Sequence, residues 1–197
     1  MNDPIFDQDD EANTPLTPQE REGLIPTYIT TRAELNAAEQ ENIAEADDWA
    51  FGRRRGSIAD AGVLMTLHRN MLRRVWKWAG KPRQTERNIG IPAHQIEVAL
   101  HQLIDDVRYW MEHETFEPDE IALRFHHRLV LIHPFPNGNG RHARLAADAL
   151  VVELGRPRFT WGSANLVEAA ATRQAYVRAL QAADGHDIAP LLAFGRS

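Results

Sequence analysis

Cysteine is absent from the 197 residues, so disulfides and thiolate metal sites are excluded. No apolar run approaches the ~20 residues that a membrane helix needs. The first thirteen residues carry five acids and no base, unlike the basic start of a signal peptide. These absences predict a soluble cytoplasmic protein with no membrane partner.

Charge is spread unevenly along the chain, whose formal net charge is −6. Without the five N-terminal acids, 23 acidic and 22 basic residues remain, and residues 53–87 hold ten bases against two acids. Two interpretations of this basic stretch stay open: a surface for phosphate or an acidic partner, and solvated helix faces that balance acidic segments elsewhere. Nucleic acid is not expected, because no nucleic-acid-reading motif is present.

The apolar spacing predicts an all-α protein. Residues 1–16 are polar and acidic and predict a flexible arm, followed by a single domain over residues 17–197. Thr17–Glu20 and Thr31–Glu34 have the spacing of capping boxes, and the second opens a helix over about residues 30–51. Further helices are expected from 57 through Val75, from 93 through Trp110, and over about 118–132, 142–154, 164–183 and 188–194. Glycines and prolines interrupt residues 80–93, which predicts a loop or a small hairpin.

Residues 133–144 have the composition of an anion-binding turn. Gly138, Asn139 and Gly140 tolerate unusual backbone conformations and stand immediately before a helix. A helix N-terminus offers free N–H groups and partial positive charge, and Arg141 and Arg144 lie on one side of that helix. His133, at the mouth of the turn, can accept a hydroxyl proton near neutral pH. The pattern predicts a cradle for a polyphosphate.

The segment HPFPNGNGRHAR, residues 133–144, resembles the signature H-P-F-x-D/E-G-N-G-R-x-x-R of the Fic (filamentation induced by cAMP) family. WAGKPR, residues 78–83, resembles the family's segment before its flap, a small β-hairpin beside the active site. ITTRAELNAAEQENI, residues 29–43, together with the signature resembles the bacterial subgroup called mobile mystery protein B. The resemblance implies a helical Fic bundle with residues 84–92 as the hairpin flap.

The resemblance also implies a reaction, the transfer of AMP from ATP to a Ser, Thr or Tyr hydroxyl of a target protein or of the protein itself. His133 would be the general base, and Phe135 would anchor the loop. Gly138, Asn139 and Gly140 would hold the α- and β-phosphates, Arg141 the β-phosphate region and Arg144 the γ-phosphate. The flap residues that would align the target backbone are Asn88, Ile89, Gly90 and Ile91.

One position departs from the family pattern. Asn137 stands where the family has an acid that holds Mg²⁺, and an amide oxygen brings no negative charge. The sequence therefore predicts weak metal binding by Asn137, with Mg²⁺ held mainly by the phosphates of ATP. An altered Fic fold remains an alternative function, either as a regulatory or toxin–antitoxin-like binding partner or in another phosphotransfer.

A glutamate before the Fic core offers a means of inhibition. Many relatives carry S/T-x-x-x-E-G/N, whose glutamate pairs with the second arginine of the signature. Thr30 and Glu34 match this spacing, although leucine follows the glutamate. The resemblance implies a Glu34–Arg144 pair that keeps the arginine from the γ-phosphate, while Glu34 is also placed as a helix cap. Glu41-Asn42 is a weaker candidate.

Overall fold

The computed structural model describes residue 5 and residues 16–52, 56–163 and 169–197. These residues form α-helices joined by loops, with a short 3₁₀ helix at Ala93–Gln95 and an isolated bridge between Leu24 and Trp76. The helices are α1 Pro18–Arg21, α2 Arg32–Ala50, α3 Ala61–Leu72, α4 Ile96–Glu112, α5 Pro118–Ile132, α6 Asn139–Glu153, α7 Ala169–Asp184 and α8 Ala189–Gly195. The predicted all-α class is confirmed.

Side-chain caps fix the starts of the first helices. Both predicted capping boxes are present: Thr17 and Thr31 each accept the N–H of a glutamate whose carboxylate returns to the cap. Asp60 caps α3 by accepting the N–H of Val63 at 3.0 Å, so this helix begins later than predicted. Residues 73–79 leave the helical path and place Trp76 in the core.

The two helices that bracket the candidate site pack directly on each other. α5 contacts α6 and α4, α6 also contacts α3, and α2 lies against α3. Trp76, Phe125 and Phe135 are among the largest fully buried side chains, each contributing about 2 kcal/mol or more through burial. This packing fixes the ends of α5 and α6, between which the anion-binding turn lies.

Parts of the sequence prediction lie outside the described residues. They are most of the predicted acidic arm, residues 1–4 and 6–15, and the predicted start of the last long helix, residues 164–168. Leu16 is buried, and Ile5 packs against the core. Within the described ranges, no helix combines the length and apolar character that crossing a bilayer requires.

Candidate active site

His133 closes α5 in a left-handed conformation. Its φ of 52° and ψ of 60° are uncommon for a residue with a Cβ, and its N–H donates to the carbonyl of Leu129 at 3.2 Å. The residue is only 6% exposed. Burial, followed by the positive charges of Arg83 and Arg87, lowers the pKa of His133 to about 4. The imidazole is therefore neutral at pH 7 and able to accept a proton.

The turn after His133 is held by two internal contacts. Phe135 is fully buried, and the Asn139 side chain joins its backbone in both directions. Asn139 Nδ2 donates to the Phe135 carbonyl at 2.8 Å, and its Oδ1 accepts the Phe135 N–H at 2.9 Å. The Asn139 side chain thus fixes the loop, and a nucleotide would meet only the backbone of this residue. With these two hydrogen bonds in place, α6 starts at Asn139, three residues before the predicted start.

His68 on α3 packs against the turn and bonds to it, a role that the sequence analysis missed. Its ring stacks on Phe135 with centroids 3.6 Å apart. Its Nδ1 accepts the Gly80 N–H at 2.9 Å, which leaves Nε2 to donate to the Asn137 carbonyl at 3.0 Å. Burial holds the pKa of His68 well below its usual range, so the ring stays neutral. The available signal was a histidine on the apolar face of α3, beside Leu64, Leu67 and Met71.

The N-terminus of α6 is open toward the turn. Gly138, the N-cap, has a φ of 78° and provides no side chain to bond the first N–H groups. A Cβ built on Gly140 would have no heavy atom within 4 Å. The first turn of this 15-residue helix therefore has no side-chain cap for its backbone donors and carries partial positive charge, with free space beside Gly140.

Arg141 carries a partner that the sequence analysis did not predict. Its Nη2 lies 2.8 Å from Oε2 of Glu39 on α2. The Glu39 residue is 5% exposed, and its other oxygen accepts the Trp76 indole N–H at 2.7 Å. One of the two arginines expected to hold phosphate thus already contacts a carboxylate.

Arg144 lies one turn further along α6. Its guanidinium carbon is 5.5 Å from the centroid of the Tyr176 ring on α7, within cation–π range. The Tyr176 hydroxyl is 3.0 Å from Nε2 of the fully buried His126. Burial raises the pKa of Tyr176 to about 12, so the ring presents a neutral face to Arg144.

The predicted Glu34–Arg144 pair does not form. Glu34 is exposed, and its Oε2 accepts the N–H groups of Thr30 at 2.8 Å and Thr31 at 3.0 Å. These bonds, led by that from the Thr30 backbone, lower the pKa of Glu34. The capping box therefore occupies this carboxylate. Glu41, the weaker candidate, is also exposed.

Asn137, the position of the family's metal-binding acid, already makes hydrogen bonds within the turn. Its Oδ1 accepts the Gly138 N–H within the turn, and its carbonyl accepts from His68. Among the described residues, no group of three or more His, Asp and Glu side chains could hold a metal ion. The donor here is a neutral amide oxygen that already accepts one hydrogen bond, a weaker ligand for a divalent cation than the family's carboxylate.

The predicted flap is a loop and not a hairpin. Residues 84–92 contain no strand. Asn88 and Ile89 are exposed, Ile91 packs partly against the core, and Gly90, with a φ of 91°, lies against His133. The carbonyls of Thr85 and Ile91, which a hairpin would pair across strands, instead accept hydrogen bonds from the buried Arg83.

The basic stretch is not one continuous surface. Arg53, Arg54 and Arg55 lie outside the described residues. Arg83 is buried, Arg87 pairs with Glu20 at 2.5 Å, and Arg74 pairs with Glu45. Within the described part of the stretch, these three bases serve internal contacts, which favours the structural interpretation over a single phosphate-binding face.

A neutral histidine beside an uncapped helix N-terminus with two arginines combines a proton acceptor with groups that bind phosphate. Residues 59–151 match the Fic/DOC family. This match confirms, over these residues, the resemblance that the signature predicted. The resemblance to the mobile mystery protein B subgroup stays a prediction.

Curated relatives and solved structures extend the comparison. Protein adenylyltransferase fic-1 of Caenorhabditis briggsae is 33% identical over 119 residues, which are 59% of this chain and 22% of the relative. The chain thus spans about a fifth of that relative's length. The Bartonella tribocorum BepC protein with bound AMPPNP superposes with a TM-score of 0.69 at 18% identity, covering 91% of this chain and 97% of that one. Fic-1 of C. elegans gives a TM-score of 0.63 at 24% identity, covering 89% and 56%. The two structures establish the same fold.

Proposed function

We propose that this chain transfers AMP from ATP to a Ser, Thr or Tyr hydroxyl of a target protein, with self-modification as a side reaction. The observation that carries the proposal is the neutral, buried His133 at the entrance to the open N-terminus of α6. The names of the adenylyltransferase relatives and the AMPPNP bound to BepC support the same reaction.

In the proposed reaction, His133 takes the proton of the acceptor hydroxyl. The hydroxyl oxygen forms a bond to the α-phosphorus, the bond from this phosphorus to the α,β-bridging oxygen breaks, and pyrophosphate leaves. Backbone N–H groups at Asn139 and Gly140 stabilise charge on the phosphates, as do the guanidinium groups of Arg141 and Arg144. Mg²⁺, when present, would enter with the phosphates of ATP, because Asn137 offers it no charged ligand.

Labelled ATP tests this reaction directly. The protein is incubated with ATP labelled at either the α- or the γ-phosphate, alone and with bacterial lysate, beside His133→Ala. We expect α-label in protein, a rate lower by ~10²–10⁴-fold in His133→Ala, and unchanged ATP binding by calorimetry. Label from the γ-phosphate alone would establish phosphorylation instead. ATP binding with no transfer of either label, in both the wild type and the Glu39 variant below, would favour the regulatory alternative.

We further infer that the proposed activity is restrained by Glu39, in place of Glu34. The Glu39 carboxylate lies where Arg141 would receive phosphate oxygens, and a bound nucleotide would bring more negative charge beside this largely buried acid. ATP must therefore displace Glu39 from Arg141 or bind beside it against electrostatic repulsion.

The pair Glu39→Gln and Glu34→Gln separates inhibition from helix capping. Glutamine at 39 can still accept from Trp76 but does not hold Arg141 as an ion pair, so we expect ATP affinity and initial labelling to rise about tenfold. Glutamine at 34 weakens the exposed capping box, so the melting temperature falls slightly and labelling stays constant. A lower labelling rate in Glu39→Gln would show that Glu39 orients Arg141 and does not block it.

A further inference from the structure

Arg83 is a buried cation whose observed hydrogen bonds go to backbone carbonyls. The residue is 1% exposed, and the nearest carboxylate oxygen, on the exposed Glu86, is 4.0 Å away. Its Nε donates to the His133 carbonyl at 2.7 Å, Nη1 to the Thr85 carbonyl at 2.9 Å, and Nη2 to the Ile91 carbonyl. Burying a charge without a close ion-pair partner is costly, so its hydrogen bonds must hold this arrangement together.

The three acceptors belong to two different parts of the site. Thr85 and Ile91 are the two ends of the flap loop, and His133 is the proposed base. The Arg83 backbone N–H adds a bond to the Pro134 carbonyl at 2.8 Å. One guanidinium therefore closes the flap on itself and fastens it to the start of the anion-binding turn. Arg83 donates to the three carbonyls from three separate nitrogens of a planar fork, whereas lysine would have to donate from a single nitrogen.

Gly90 shows how closely the flap approaches His133. Its φ is 91°, and a Cβ at this position would lie 2.6 Å from the His133 Cβ and 3.0 Å from Arg83 Nη2. The flap backbone is thus in van der Waals contact with the histidine, and the flap and the base form one packed unit.

The geometry points to Arg83 as a positioning residue that holds the flap and His133 in a single frame. This inference rests on the proposed function, in which the flap aligns an acceptor segment and His133 takes its proton. Both partners of that proton transfer are then fixed relative to each other by the same guanidinium, and misplacement by about 1 Å is enough to cost ~10²-fold in rate.

Arg83 also acts on His133 through its charge. The charged groups that act on the His133 ring are Arg83 and Arg87, and the ring donates to the Val130 carbonyl. The Arg83 cation disfavours the imidazolium, which keeps the base neutral. Arg87 lies further from this network, held by Glu20.

The test uses four variants of the full chain. Arg83→Lys keeps the charge without the fork, Arg83→Met removes both, and Gly90→Ala pushes the flap off His133 while keeping Arg83. Lys81→Met removes an exposed cation two residues away and is the matched control. Three quantities are measured: deuterium exchange of amides 85–91, the His133 titration by NMR, and transfer of α-label from ATP.

We expect amide exchange in the flap to rise at least about tenfold in both Arg83 variants and in Gly90→Ala. The Arg83 variants lose charge-assisted hydrogen bonds to the flap, and Gly90→Ala loses the packing of the flap against His133. Transfer should fall by ~10²-fold in these three, with ATP affinity unchanged. The pKa of His133 should rise in Arg83→Met and stay in place in Arg83→Lys. Lys81→Met should match the wild type in every measurement.

The inference would be overturned if the flap amides of Arg83→Lys and Gly90→Ala exchanged at the wild-type rate, even if Arg83→Met fails to fold. Equal losses of transfer and ATP affinity would also overturn it, because Arg83 would then act on the nucleotide. If neither the wild type nor Glu39→Gln transfers label, the proposed function fails, while the exchange and NMR measurements still decide whether Arg83 couples the flap to His133.

Discussion

At the scale of single residues, the candidate site depends on keeping its polar side chains in one state. His68 and His133 are neutral because burial lowers their pKa, and Asn139 is fixed because both ends of its amide are bonded to Phe135. The exception is Arg141, whose contact with Glu39 a nucleotide would have to change. In the proposed function, phosphate would therefore compete with the Glu39 carboxylate for Arg141.

Asn137→Asp tests the one departure from the family signature. A carboxylate can still accept the Gly138 N–H, so the turn should keep its shape. The added negative charge supplies the ligand that Mg²⁺ lacks here, and we expect the Mg²⁺ concentration for half-maximal ATP binding to fall about tenfold. Calorimetric titration of ATP at graded Mg²⁺ measures this without requiring transfer. Asn88→Asp adds the same charge on the exposed flap and should leave the Mg²⁺ dependence unchanged.

At the scale of elements, local signals were read correctly from the sequence. The capping boxes at Thr17 and Thr31 and the bounds of α5 depend on neighbouring residues, so spacing alone predicts them. The start of α6 was misjudged, because glycine and asparagine favour loops by propensity. The bonds between the Asn139 side chain and Phe135 override that preference.

The errors at this scale come from contacts between distant residues. Glycine and proline in residues 80–93 predicted a loop or a small hairpin, and the family resemblance implied the hairpin. In the structure Arg83 instead donates to the carbonyls at both ends of the loop. Glu34 was selected because Thr30 and Glu34 match the spacing of the family's inhibitory pattern, and its capping-box role was the competing interpretation. Glu39 meets Arg141 across 102 residues and Trp76 across 37, and no pattern in the sequence reports either contact. The signature predicted which residues form the turn, and the fold determines which carboxylate faces it.

At the scale of the whole molecule, aromatic and imidazole rings form a buried cluster beneath the anion-binding turn. His68 stacks on Phe135, and the His142 ring meets both, with centroids 5.0 Å from Phe135 and 5.6 Å from His68. His142 Nε2 lies 3.0 Å from the Leu64 carbonyl on α3. The cluster therefore joins α3 and α6 to the loop between α5 and α6, so its protonation state bears on the stability of the fold.

This cluster predicts that the protein loses stability on mild acidification. Burial lowers the pKa of His142 to about 4, while an unfolded histidine titrates near 6.5. His126 is also buried, outside the cluster and beside Tyr176, and its pKa is lowered to about 3. Below pH 6.5 the histidines bind protons in the unfolded state but stay neutral in the folded state. The free energy of unfolding therefore falls as pH falls toward 4. Each such histidine should cost about 2 kcal/mol between pH 7 and pH 5.

Urea unfolding at pH 7 and pH 5 measures this loss. His142→Leu removes one titrating ring, so the difference between the two pH values should shrink by about 2 kcal/mol, although the variant is less stable at pH 7 because a buried hydrogen bond and the ring packing are lost. His101→Leu, at an exposed position on α4, is the control and should keep the wild-type difference. An unfolding free energy that stays constant from pH 7 to pH 5 would mean that the buried rings accept protons without disturbing the fold.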